Sequence, residues 1–421
     1  MKKILVLLFS VLLAGCGKVE NSKKIVVWHW MTDRHQAFEQ LAAKYKAQTG
    51  VEVEFKKFFP PDIYSTKVIA AARAGTLPDI FGILGEKKVL ASFAKSGYIV
   101  DFGPELVKEG WKDTFYPQTL ATTAFDTGNI YDAPKGFFSI PLDAMSMQFV
   151  YNKAVLKQAG LEGKTPQTLD EMIAMAKIVK EKVPGVDGFV CGWGEVWLLH
   201  CLATEWAINI MGEEKFFATL KGDVAYTDPQ WVDVFSKFVD LKNSGVLVSD
   251  IITMVNRESE DCFSRGAAAF SFDGGWSVNV YKQLAPDLDY GFFPIAKVAK
   301  DNPAKVWAGA GSSLTVGNAS KNKPEAIAFL KWMTQKEQQA FLVKETNNLP
   351  AVKGLDDMLS PQLKDLAAGL ESSTHPNVWP YEEDSRVIEI FDKGLQQLLL
   401  GEKTPQEIAE KIKQVKDSIK K

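Results

Sequence analysis

Ile25-Val26-Val27-Trp28 is a short uninterrupted apolar run, the pattern of a strand buried on both faces. Phe38, Leu41, Ala42 and Tyr45 then recur at helical spacing until Gly50, which predicts a helix closing at that glycine. Val51, Val53 and Phe55 alternate with charged residues as a second strand. An alanine-rich helical stretch precedes a third candidate strand, Asp79-Ile80-Phe81-Gly82-Ile83. Further strand-like runs at Phe189 to Cys191, Ala267 to Phe272 and Leu314 to Val316 are interleaved with helices. Two of those helices start with recognisable capping chemistry. Thr168 with Glu171, and Thr404 with Glu407 around Pro405, have the spacing at which a hydroxyl and a carboxylate satisfy each other's backbone N–H. The last helix carries Ile408, Ile412, Val415 and Ile419 along one face. Alternating strands and helices make the class α/β, and 421 residues suit two cores of roughly 150 to 200 residues better than one.

The first residues follow a different pattern. Lys2 and Lys3 precede an apolar run from Ile4 to Leu13, broken only by Ser10, and Leu13-Ala14-Gly15-Cys16 follows. That is a secretory signal over residues 1–15, too short to span a bilayer. Its last four residues resemble the bacterial lipobox, so Cys16 is the expected lipid anchor, with residues 16–24 as a polar tether. The mature chain is then expected outside the cytoplasmic membrane.

Charge and composition narrow the function by exclusion. A formal net charge of −3, made more negative by loss of Lys2 and Lys3, gives no basis for nucleic-acid binding. The four histidines, at 29, 35, 200 and 375, share no metal-ligand spacing, and a six-residue gap does not stack two imidazoles on one helix face. No metal or cofactor is expected. Beyond Cys16 three cysteines remain, at 191, 201 and 262; a Cys191–Cys201 bridge and three separate buried thiols both fit an oxidising compartment. The segment from Gly160 to Thr165 is two residues short of a phosphate loop and reads as a turn. There is no Gly-x-Ser-x-Gly elbow, and Gly309 to Ser313 reads as a close backbone approach at a cleft or hinge.

Several segments, in one order along the chain, resemble the extracellular solute-binding proteins of bacterial ABC sugar importers, the group that includes maltose-binding protein. The most specific is Tyr151-Asn152-Lys153 through Gly160-Leu161, followed by Thr165-Pro166 and a helix start, with Leu169 where a tryptophan is common. Others are Leu77-Pro78-Asp79-Ile80, Asp273-Gly274-Gly275-Trp276, the glycine-rich Trp307 to Val316, and Pro324 to Gln338 around Phe329-Leu330-Lys331-Trp332. The resemblance implies two α/β lobes, each discontinuous in sequence, with a ligand cleft at the hinge: residues 25–138 plus 273–335 in one, 139–272 plus 336–421 in the other. It also implies a monomer without catalytic residues that closes over a small carbohydrate and presents it to a membrane permease.

A sugar offers C–H faces and a ring of hydroxyls, so its site needs aromatic planes with carboxylates around them. Trp276 matches the position whose tryptophan stacks on sugar in the resembled family. Trp30 and Glu86 occupy places where that family touches ligand, although Trp28 could be the exposed ring in place of Trp30. Glu195 and Trp197 are two apart, so on an extended segment they share a side. Asp143, Asp273, Trp307 and Trp379 complete the candidates, and a cap, core or hinge role explains each as well. Met145 stands where maltose-binding proteins carry a carboxylate, which puts maltose itself in doubt. Competing readings are a secreted glycoside hydrolase or lyase using two of the carboxylates, a binding protein for a polyamine, phosphorylated polyol or iron complex, and a sensory lipoprotein that presents its ligand to a receptor.

Overall fold

A computed structural model describes residues 24–59, 61–84, 87–129, 131–370 and 383–419. The first sheet runs in the order Glu52–Lys57, Lys24–His29, Ile80–Phe81, Ser313–Val316, Ile140–Pro141. Its first three strands are parallel, with Lys24 opposite Glu52 and Val27 opposite Ile80. Ile25 and Val27 point into the core with no exposed surface. The helix His35–Thr49 closes on Gly50 at φ 75°, which donates its N–H to the Lys46 carbonyl, the left-handed cap that a side chain would strain. Asp79 shows why a carboxylate follows Pro78. It accepts from the Val26 N–H at 2.9 Å and from Ser320 Oγ at 2.6 Å, tying the first strand to a loop far along the chain.

The second sheet runs Tyr290–Phe293, Asp143–Asn152, Ala268–Gly274, Asp187–Val190. Asn152 ends its longest strand and caps the next helix, its Oδ1 accepting from the Val155 N–H at 3.0 Å. The expected division of the lobes changes here. Ala268–Gly274 and Tyr290–Phe293 both pair with Asp143–Asn152, so residues 273–310 go with the second sheet and not with the first. The helices Lys323–Met333 and Lys336–Thr346 pack on the first lobe, where Trp332 donates to Gln48 at 2.9 Å. Residues 336–346 therefore leave the second lobe, because the chain returns to it only after Leu349–Pro350.

Three segments cross between the sheets. Leu142 separates Ile140–Pro141 from Asp143–Asn152; Gly311-Ser312 separates Ala308–Ala310, paired with the second sheet, from Ser313–Val316 in the first; Asn347 and Asn348 precede Leu349–Pro350. Arg34, from the turn after the first strand, reaches all three: it pairs with Asp143 and donates to Ser312 Oγ at 2.9 Å and Asn348 Oδ1 at 3.2 Å. A Cβ on Gly311 would lie 2.4 Å from Asp143 Oδ1, so this glycine is the close approach its neighbourhood suggests.

The six-residue step from His29 to His35 runs from a strand through a turn to a helix start, not along one helix face, and the two imidazoles do stack, with Nε2 of His29 3.0 Å from Nδ1 of His35. Burial, with His35 beside it, drives His29 down to about 3, so it is neutral there. Among the described residues no group of three or more His, Cys, Asp or Glu is placed to hold a metal ion. Cys191, Cys201 and Cys262 are free thiols; burial raises all three above the usual thiol range. No helix among the described residues is long and apolar enough to cross a membrane.

Candidate functional site

Asp187–Val190 and Ala268–Gly274 are parallel, and both open at their carboxyl ends onto one patch of side chains, the place where α/β sheets bind ligands. From the first strand the chain turns through Gly192 and Gly194, where a Cβ would lie 2.4 Å from Asn256 Cα and 2.7 Å from the Thr253 carbonyl. Only glycine lets this loop lie so close to the start of the helix Asn256–Ser264. Glu195 follows and its two oxygens are divided. Oε1 accepts from the Asn256 N–H at 2.9 Å, satisfying a free donor at the helix start, and Oε2 accepts from Trp197 Nε1 at 2.9 Å.

From the second strand the chain turns through Gly274 and Gly275 into Trp276, whose ring folds back across Gly274: a Cβ there would sit 1.9 Å from a ring carbon. The Trp276 and Trp197 ring centroids are 5.7 Å apart at 56°, and both rings are half-buried. Trp276 Nε1 donates to Glu260 Oε1 at 2.9 Å, which also accepts from Asn256 Nδ2 at 3.0 Å. Two carboxylates thus hold two indoles in fixed planes while each ring keeps some exposed surface.

Burial raises Glu260 to about 7, opposed by the Trp276 N–H and by Arg257, and assisted by Glu195. Asp273 behind it is raised well above its ordinary value by burial, then by Glu260. The sign for stability follows. The folded chain holds the Glu260 proton more tightly than the unfolded chain, whose ordinary value is 4.5, so stability from this group is complete below 4.5 and is lost as pH rises through about 7. Denaturation at pH 5 and pH 8 should show this loss in the wild type and a flatter profile in Glu260→Gln. Equal slopes in the two proteins would show that another group titrates.

The remaining candidates separate cleanly. Trp30 stands just past the first strand on the other lobe, half-buried over Gly82, where a Cβ would meet its ring at 2.3 Å, and beside Tyr64. Trp28 is engaged by Phe58 and by the Lys67 ammonium 4.8 Å from its ring. Asp143 is a hinge residue: Arg34 and the Ser312 N–H and Oγ occupy its oxygens. Asp273 is buried and bonded to the Gly274 N–H and the Tyr281 hydroxyl. Trp307 lies in the core of the second lobe, its backbone N–H donated to the buried Glu205 Oε1 at 2.5 Å. Glu86, Trp379 and Cys16 lie outside the described residues. Glu260, Asn256 and Arg34 were not among the candidates. The i,i+4 spacing of Asn256 and Glu260 is the one sequence signal that points to them.

Two α/β lobes joined by three crossings, with an aromatic and acidic patch at the strand ends, define a two-lobed solute-binding architecture. The chain belongs to the bacterial extracellular solute-binding protein family, whose profile it matches over residues 40–370. This is a family of binding proteins, not enzymes. Among curated relatives, the chain is 23% identical over 371 residues to the multiple sugar-binding protein of Streptococcus mutans, covering 84% of this chain and 83% of that one. It is also 23% identical over 371 residues to a maltooligosaccharide ABC transporter solute-binding lipoprotein of Streptococcus pneumoniae, covering 82% and 78%. Among solved structures, a chitin oligosaccharide binding protein superposes with a TM-score of 0.79 at 22% identity, covering 94% of this chain and 98% of that one.

Proposed function

We propose that this chain captures a saccharide between its lobes and delivers it to an ABC permease, as a monomer tethered outside the cytoplasmic membrane through a lipid on Cys16. The observation that carries the reading is the pair of half-exposed indoles, Trp197 and Trp276, held by Glu195 and Glu260 at the carboxyl ends of two strands. Trp276 supplies the face for a sugar ring, and the lone pairs left on Glu195 accept from hydroxyls. Trp30 and Glu86 serve the same purpose from the first lobe. Affinity arises because only the closed arrangement offers both sets of contacts at once. The names of the relatives, for multiple sugars and maltooligosaccharides, agree with this class of ligand.

The test is a thermal-shift screen of mono- and oligosaccharides, polyamines and phosphorylated polyols, with product analysis of each hit. A ligand at about 100 times its dissociation constant stabilises the fold by roughly 2.7 kcal/mol. A saccharide recovered intact supports the proposal, and a cleaved product overturns it. Trp276→Ala should weaken a saccharide hit by about 1 to 3 kcal/mol with little change in melting temperature. Gly274→Ala should do the same without removing the indole, because its Cβ occupies the space of the ring. Full affinity in Gly274→Ala would show that the ring position is not used.

A further inference from the structure

The two indoles of the candidate site are held from different parts of the chain. Trp197 opens the helix Trp197–Lys221 and is held by Glu195, on the loop after Asp187–Val190; Trp276 follows Ala268–Gly274 and is held by Glu260, inside the helix Asn256–Ser264. Asn256 meets both holders. Its backbone N–H donates to Glu195 Oε1 at 2.9 Å, and its side-chain Nδ2 donates to Glu260 Oε1 at 3.0 Å, the same oxygen that accepts from Trp276 Nε1. One unbroken path of hydrogen bonds therefore runs from Trp197 through Glu195, Asn256 and Glu260 to Trp276. An indole has one polar atom, and each of these rings commits it to this path.

The place of Asn256 in the fold makes that path firm. As the first residue of its helix it has a backbone N–H without an acceptor inside the helix, so a carboxylate from another segment can take it. Gly192 lets that segment in: a Cβ there would lie 2.4 Å from Asn256 Cα and 2.5 Å from its nitrogen. Residues 256 and 260 are one turn apart on one helix face, which is how the amide and the second carboxylate meet. Ser259 Oγ, donating to the Asn256 carbonyl at 2.8 Å, fixes the same turn. Asn256 is 8% exposed and Glu260 3%, so water does not replace a lost partner at either.

We infer that Asn256 is a positioning residue that couples the two indoles, so that a change at either ring or either holder is felt at the other and saccharide affinity depends on Asn256 through ring placement. The inference rests on the saccharide reading above and adds the residue that orients its platform. Two rings held separately would offer two independent faces. Held through one amide they offer a single preset surface, which loses less entropy when a sugar is laid on it.

The experiment joins circular dichroism of the full chain to calorimetric titration with maltotriose, triacetylchitotriose and raffinose. Trp197 and Trp276 are the one pair of tryptophans in ring contact among the described residues, so the far-ultraviolet exciton signal lost in Trp276→Phe reports their mutual placement. Asn256→Leu should lose that same signal while still melting cooperatively, and should weaken a probe that binds the wild type by about tenfold. Asn256→Asp keeps the shape. Its signal should be absent at about pH 8, where two carboxylates face each other, and return at about pH 5, where a shared proton restores a donor. Around Glu260 stand Arg257, Glu195, Asp273 and Tyr281, all present in the wild type, whose signal should hold at both pH values because Oε1 accepts the indole N–H with or without a proton on Glu260. Glu258→Ala, which unties the Val255 N–H at the same helix start, is the control and should leave the signal intact. In titrations, the losses from Trp197→Phe and Trp276→Phe should be non-additive by about threefold or more in the wild type and additive in Asn256→Leu. A signal that survives in Asn256→Leu, an equal loss in Glu258→Ala, or coupling that persists in Asn256→Leu overturns the inference and leaves the saccharide reading intact. Silence toward the three probes and every saccharide of the thermal-shift screen, with the signal still dependent on Asn256, overturns the saccharide reading and leaves the coupling of the rings.

Discussion

Asp143→Ala should destabilise the chain by about 3 to 5 kcal/mol, because it leaves the Arg34 guanidinium in a buried hinge without its main counter-charge. The side chains of Arg34 and Asp143 are only 12% and 6% exposed, so water cannot replace the missing carboxylate. The Ser312 N–H loses its acceptor in the same substitution. Denaturant titration gives the loss directly. The double variant Arg34→Met, Asp143→Leu should recover much of it, since an absent pair costs less than a broken one. A loss in the double variant equal to the sum of the two single losses would show that the residues do not act as a pair. Arg34 comes from one lobe and its partners from all three crossings, so the pair also bears on lobe movement. Asp143→Ala should therefore change ligand affinity without touching the ligand.

How much of this was legible in the sequence depends on the range of each interaction. The first strands, the helix closing at Gly50 and the last helix were readable because period and cap are local properties. The box at Thr404 formed as its spacing indicates, with both reciprocal bonds in place. At Thr168 the hydroxyl accepts from the Glu171 N–H, but Glu171 turns to the Gln167 N–H instead, one residue earlier. The lobe boundary was misplaced because a strand's period does not say which sheet it joins. Only the pairing of Tyr290–Phe293 and Ala308–Ala310 with Asp143–Asn152 decides that.

In the candidate site the aromatic positions were legible and their supports were not. Trp276 and Trp197 follow strands and stand out by residue type, whereas Glu260 lies in the polar run Asn256-Arg257-Glu258-Ser259-Glu260, which reads as a solvated helix face. Its burial depends on Gly192 and Gly194 bringing a distant loop against that helix. Asp143 and Asp273 show the converse error. A carboxylate near a predicted cleft reads as a ligand contact, yet backbone N–H groups and an arginine or tyrosine from other elements take its lone pairs.

Lys416→Met should also cost about 3 to 5 kcal/mol, by stranding Glu383 in the core of the second lobe. The Lys416 ammonium pairs with Glu383, donates to the Leu220 carbonyl at 3.0 Å and lies 5.3 Å from the Tyr226 ring, while the Tyr226 hydroxyl donates to the same Glu383 oxygen at 2.9 Å. Both charged side chains are at most 10% exposed. On a lobe of ordinary size such a loss lowers the melting temperature by roughly 6 to 15 °C. Glu383→Gln in the same chain should restore part of it, since the amide needs no counter-charge. A change under about 1 kcal/mol in Lys416→Met would show that water reaches the pair.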